Sequence, residues 1–266
     1  MSTHHDDGRD PQAGVAPVAH AASSGEAPVR PAAAPPATPP TAATVFGDRL
    51  GLAERFTAIL ADTGVSHGLI GPREVPILWE RHVLNCAVAQ EAFPQGVAVA
   101  DIGSGAGLPG LALAIARPDL ELHLVEPLLR RTTWLSTTVE ELGLDNVTVH
   151  RGRAEELAGT LEVPWATARA VARLDKLARW TFPLLTAGGT LVALKGSSAA
   201  DELAADEPAL RRLGMVSAQV RSYGAQVLDP ATTAVELTIG EARARAGKAG
   251  APSRKRSGAK GQGRRR

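Results

Sequence analysis

Cysteine is nearly absent: Cys86 stands alone among 266 residues. A single thiol cannot close an internal disulfide, which excludes a disulfide-framed fold and fits a reducing compartment, read as the cytoplasm. No uninterrupted apolar run approaches the roughly 18 residues that a membrane-spanning helix needs, so neither a transmembrane segment nor a membrane partner is expected. Large apolar side chains are also scarce in residues 1–44, which hold eight of the 19 prolines. Such a stretch buries too little surface to offset its ordering entropy, and it lacks the apolar core of a signal peptide. Residues 1–46 are therefore expected to be a disordered Ala/Pro-rich tail. No internal repeat is present, and no metal site is expected.

Charge is abundant but unevenly placed. Residues 241–266 carry ten Lys/Arg against one acid, Glu241, while the other 240 residues carry 19 Lys/Arg against 27 Asp/Glu. A block of like charge reads as a disordered arm, and a basic one suits a polyanion such as RNA. The tail is expected to contact RNA phosphates, the alternative being a solvated, solubilising segment.

Residues 47–240 are enough for one well-cored domain. Helical spacing runs over 48–65 and 75–93, around a "GLIGPRE" loop at 68–74. Seven strands are then expected at 97–101, 121–126, 146–150, 165–171, 189–196, 215–223 and 233–240. Helices follow the first, second and fourth of these at 108–116, 128–142 and 174–185, with a further helix after the fifth at 199–213. This alternation predicts a doubly wound, mostly parallel sheet, and the last two strands form an antiparallel edge hairpin.

The first strand–helix turn reads "DIGSGAGLPG" (101–110). Two glycine patterns overlap in it. Gly103, Gly105 and Gly107 give GxGxG, often found beside S-adenosylmethionine; Gly105, Gly107 and Gly110 give GxGxxG, the dinucleotide fingerprint. Asp101, directly before the glycines, would repel a pyrophosphate and attract a sulfonium or ammonium. Glu126, ending the next strand, suits ribose hydroxyls in either cofactor. The antiparallel last hairpin is usual in methyltransferase sheets. These features favour methyl transfer. An NAD-dependent oxidoreductase and a non-catalytic RNA-binding protein are the alternatives.

Missing motifs narrow the acceptor. The strand at 165–171 is not followed by the Asn/Asp-Pro-Pro-aromatic loop common in exocyclic-amine methylation. No Pro-Cys nucleophile is present, and Cys86 reads as a buried structural thiol, which disfavours cytosine-C5 chemistry. An acceptor that needs no base remains, such as guanine N7 with its in-plane lone pair; small-molecule O- or N-methylation also stays open. Lys195, Arg173 and His82 are the candidate catalytic groups. Lys195 ends a strand at the ligand edge, and His82 precedes the sheet. Arg130 and Arg131 are placed to grip phosphates, or else form a solvated helix face. Trp79, Trp134, Trp165 and Trp180 are expected in the core.

Taken in order, "WERHVLNC" (79–86), "DIGSGAGLPG", "LVEPLLRRTTWL" (124–135), "GRAEEL" (152–157), "ARAVARL" (168–174) and "ALKG" (193–196) resemble the bacterial small-subunit ribosomal RNA guanine-N7 methyltransferases, formerly called glucose-inhibited division protein B. The resemblance covers about residues 48–240. It implies a class I S-adenosylmethionine-dependent, Rossmann-like fold with N-terminal helices. It implies methylation of a guanine in a 16S rRNA loop near the decoding site, on the RNA or a small-subunit precursor; a monomer is expected. It places the cofactor on Gly103, Leu108, Ala154, Glu155 and Arg169. By position, Gly105 belongs to the same turn, Asp101 faces the methionine end and Glu126 the ribose. Where this family often has Ser-Arg-Ala-Phe-Ala-Ser, the chain has "ARAVAR": Arg169 is kept, while Ala168, Val171 and Arg173 differ.

Overall fold

A computed structural model describes residues 34–241. The expected disordered head up to residue 33 and the basic arm from 242 onward lie outside the described residues.

A seven-stranded sheet organises the fold. Its strands are β1 (Ala98–Ile102), β2 (Glu121–Glu126), β3 (Val147–Arg151), β4 (Val163–Arg169), β5 (Leu185–Lys195), β6 (Met215–Tyr223) and β7 (Thr232–Ile239), in the spatial order β3-β2-β1-β4-β5-β7-β6. The first five run parallel, and β7 lies antiparallel to both β5 and β6. The expected class I methyltransferase sheet with its antiparallel edge hairpin is therefore present. The order reverses at β1, which pairs with β2 on one side and β4 on the other. A crevice opens outside the carboxyl ends of strands at such a point.

Helices cover both faces. One face carries α1 (Pro40–Phe46), α2 (Leu50–Ile59), α3 (Asn85–Ala87), α4 (Gly110–Ala116) and α5 (Leu129–Leu142), around Phe56, Leu78, Trp79, Leu111 and Leu135. The other carries α6 (Leu174–Thr181) and α7 (Ala199–Arg212), around Leu177, Phe182, Leu191 and Leu210. Strand periodicity sorts β1 between them: Val99 joins the first core, and Ala100 and Ile102 join the second. Gly143 ends α5 in the left-handed conformation that favours glycine.

The domain begins earlier than the sequence suggests. Residues 40–46, expected within the disordered tail, form α1, with Ala42 and Phe46 buried. Pro40 is tolerated because the first turn of a helix needs no N–H there. Phe46 packs edge-on against Trp79, whose indole N–H donates to the Pro36 carbonyl at 3.3 Å. The segment expected as one helix over 75–93 is helical but irregular: tight 3-10 turns over Pro72–Ile77, wide π-turns over Leu78–Leu84, then α3 and a further tight stretch.

Candidate active site

The turn after β1 is pinned from below and from the side. Gly103 and Ser104 both donate their amides to the Val125 carbonyl, at 2.8 and 3.2 Å. The Ser104 hydroxyl donates to the Asp101 carbonyl at 2.9 Å. Gly105 N–H donates to Glu126 Oε2 at 3.1 Å, and Leu128 N–H to Glu126 Oε1 at 3.1 Å. Glu126 is only 2% exposed, so one carboxylate locks the loop after β1 to the loop after β2. Gly103 has φ +72°, and a Cβ there would press on the Val171 side chain at 3.1 Å. At Gly110 a Cβ would lie 2.3 Å from Leu124 Cδ2 and 2.7 Å from Asp101 Oδ2, so no larger residue fits.

This turn walls a cavity of about 600 Å3, within the usual size for a small-molecule site. Gly103, Gly105, Leu108, Glu126, Ala154, Glu155 and Arg169, all expected around the cofactor, line this one cavity. Ala154 and Glu155 arrive on a short 3-10 turn after β3, and Arg169 arrives at the end of β4. Ile102, Val125 and Leu128 add apolar wall. Next to Arg169, Ala170 takes φ +56°, a costly conformation for a residue with a Cβ, and such strain clusters at ligand sites.

Asp101 departs from its expected place. It does not line the cavity; it is fully buried, and its Oδ2 accepts the Gly110 amide at 3.1 Å. As an alternate position from Val99 on β1, it turns toward the α4 side, and period-two reading of the strand would have found this. Its Oδ1 has no partner among the described residues. Burial pushes its carboxyl up to about 7, against the Gly110 hydrogen bond; nearby Glu126 adds to the rise. With Asp101 beneath the turn and outside the lining, its charge does not face a bound ligand, and the contrast between a sulfonium and a pyrophosphate does not rest on it.

The three catalytic candidates separate. His82 lines the cavity, 8% exposed, with Nε2 2.7 Å from Glu74 Oε2 and Nδ1 in hydrogen-bond contact with Arg169 Nη2. Lys195 does not reach it: its ammonium donates to the Ala172 carbonyl at 2.9 Å and to Glu202 at 2.8 Å. Arg173 is also outside the lining, with its guanidinium on Asp206 at 2.7 Å. Position at a strand end was the right signal for the edge. Two carboxylates of α7, Glu202 seven residues after Lys195 and Asp206 33 residues after Arg173, decide where these cations point.

Other expectations sort the same way. Cys86 is buried, burial pushes its thiol up, and its Sγ accepts from Arg169 Nη1 at 2.9 Å. Arg131 lines the cavity and approaches Glu126 at 3.5 Å, whereas Arg130 is exposed. Trp79 and Trp134 are buried in the core, and half-buried Trp165 packs edge-on against Phe93. Trp180 differs, since it lines the cavity with the Lys176 ammonium 5.0 Å from its ring centroid. Its place off the stripe of Leu174, Leu177, Ala178 and Thr181 was the available signal.

Comparison with known proteins agrees with this geometry. The family profile described as rRNA small subunit methyltransferase G matches residues 49–229. A Ribosomal RNA small subunit methyltransferase G of Streptomyces avermitilis is 52% identical over 231 residues, covering 83% of this chain and 97% of that protein. Proteins of the same name from Pseudarthrobacter chlorophenolicus and Thermobifida fusca are 55% and 53% identical, covering 73% and 84% of this chain and 90% and 94% of theirs.

Proposed function

The chain belongs to the rRNA small subunit methyltransferase G family, and from that premise we propose that it transfers the methyl group of S-adenosylmethionine to N7 of a guanine in a 16S rRNA loop near the decoding site. When bound, the cofactor supplies an electrophilic methyl on a sulfonium. The observation that carries the reading is the cavity itself, built on the GxGxG turn at the switch point and closed by Glu126 and Arg169.

The residues present suit that cofactor. Glu126 keeps lone pairs free for the ribose hydroxyls beyond the two amides it accepts. Arg169 supplies a fixed positive charge for a carboxylate. Leu128, Ile102, Val125 and Ala154 give apolar surface for a purine. Asp101 acts from beneath the turn by holding Gly110 in place. Guanine N7 has no proton to remove, so the protein's contribution is proximity and orientation, and the cavity needs no thiol nucleophile. Cys86 does not line it, in keeping with that.

Incubating the full chain with labelled S-adenosylmethionine and either 16S rRNA or small-subunit particles tests this. Nucleoside analysis should find label in 7-methylguanosine. Label in another nucleoside, or none, sinks the acceptor assignment.

The basic arm at 241–266 adds RNA affinity through phosphate contacts, and the enzyme works as a monomer in the cytoplasm. Deleting the arm should flatten the dependence of RNA binding on salt, because fewer counterions are released; an unchanged slope refutes that role. Among the described residues no helix is long and apolar enough to cross a membrane.

A further inference from the structure

We infer that Glu74 and His82 are positioning residues that hold the Arg169 guanidinium in the cavity, and that this hold requires His82 to be neutral. The inference rests on assigning the cavity to S-adenosylmethionine, whose carboxylate is the natural partner of Arg169.

The hydrogen-bond chemistry admits one arrangement. A guanidinium only donates, so His82 Nδ1, in contact with Arg169 Nη2, must be the acceptor. The proton therefore sits on Nε2 and is donated to Glu74 Oε2, 2.7 Å away. The bond at one ring nitrogen sets the tautomer at the other. Arg169 Nη1 is caught as well, by Cys86 Sγ at 2.9 Å and the His82 carbonyl at 3.4 Å. The segment from Glu74 to Cys86 thus grips the guanidinium at both terminal nitrogens. His82 lies in the wide π-turns of Leu78–Leu84, an irregularity that recurs at functional sites and here brings its ring and its carbonyl to one arginine.

A proton added to Nδ1 would remove the acceptor and set a cation against a cation. The charged and titratable groups around His82 come from four elements. Glu74 comes from the Pro72–Ile77 turns, Arg81 from its own segment (3.7 Å from Glu74), Arg169 from β4 and Cys86 from α3; Asp101 on β1 lies beyond Cys86. Burial, then Arg169, hold the imidazole below its ordinary range, with Glu74 opposing. The His82 hydrogen bond in turn holds Glu74 below the usual carboxylate range. The pair is therefore neutral His and ionised Glu at neutral pH. Cofactor affinity should be full there and fall as pH drops through the lowered His82 value.

Calorimetric titration of the full chain with S-adenosylmethionine, from about pH 5 to about pH 8, reads this. Wild type should lose about tenfold in affinity toward the acid end. His82→Asn puts an amide oxygen where Nδ1 stood, keeping the acceptor and removing the titration. It should bind within about threefold of wild type at neutral pH with no acid limb. Glu74→Gln removes the charge that favours protonated His82, so the limb should move to lower pH with the plateau kept. His82→Phe should bind at least about tenfold more weakly throughout.

A purely structural histidine would not separate Asn from Phe or shift the limb with Glu74. An acid limb that survives in His82→Asn belongs to another group, Asp101 first, and overturns the inference. So does a flat wild-type profile, or wild-type affinity in His82→Phe. If wild type binds no S-adenosylmethionine at any pH, the assignment of the cavity fails instead. Should His82→Phe fail to fold by its melting curve, the Asn and Gln variants still decide.

Discussion

Two ends of the same sheet edge carry charged residues, and they use them oppositely. At the ends of β2 and β4, Glu126 and Arg169 hold backbone and side chains so that both still face an open cavity. Beside β5, Lys195 and Arg173 are drawn away onto Glu202 and Asp206 of α7. Those carboxylates also accept the first amides of α6, Leu174 N–H to Glu202 at 2.8 Å and Asp175 N–H to Asp206 at 3.3 Å, where a helix favours negative charge. One region is ordered around an external partner. The other is closed on itself, and it holds the loop after β4 against α7.

The largest effect should follow Glu126→Ala. It frees the Gly105 and Leu128 amides together and removes the proposed ribose contact. S-adenosylmethionine affinity should fall about 100-fold, near 3 kcal/mol, by calorimetry. A loss under about threefold would mean that the cavity end is as self-contained as the α7 end. Lys195→Met makes the contrasting case. It strands Glu202, only 16% exposed, without its cation. Stability should drop by about 2–3 kcal/mol in denaturant unfolding, with cofactor affinity changed less than about threefold. A large affinity loss at full stability would return Lys195 to the site.

Asp101 lies at the border, buried like the α7 pairs but beneath the turn. Its carboxyl titrates near 7 in the folded chain and near 3.8 when exposed. A raised carboxyl stabilises the fold fully below the unfolded value and loses that contribution as pH rises through the folded one. Asp101→Asn mimics the protonated form. The melting temperatures of variant and wild type should therefore diverge as pH rises from about 4 and stay apart above about 7, the variant higher by a few degrees. A gap that does not change with pH would show that Asp101 does not ionise within the fold.

Much of this was visible in the chain. Period-two runs and glycine stops located all seven strands, and "ELHLVE" matches β2 to the residue. The loop residues proposed for the cofactor meet in one cavity because each follows a parallel strand, and parallel strands deliver their carboxyl ends to the same edge. Other features depended on partners distant in sequence. Helix α1 was hidden by prolines that usually mark loops, and it is stabilised by Trp79, more than thirty residues later. The aim of Arg173 was set by Asp206 on α7, 33 residues later, while Lys195 turns to the nearer Glu202 in the first turn of that helix. The grip on Arg169 joins residues 83 to 87 positions apart, and nothing local to either segment announces it.

The smallest expected effect tests the division most finely. Arg173 reaches Asp206 at 2.7 Å, but its side chain is 65% exposed, and water screens such a pair. Arg173→Ala should change stability little, by an amount that shrinks further in high salt, and should leave S-adenosylmethionine binding unchanged. The informative measurement is methyl transfer to RNA at saturating cofactor. An unchanged rate keeps Arg173 with Lys195 in the self-contained end. A large fall in rate, with stability and cofactor affinity intact, would mean that this exposed guanidinium leaves Asp206 for the RNA. The two ends of the edge would then divide the two substrates between them, the cavity taking the cofactor and the α6–α7 rim taking the nucleic acid.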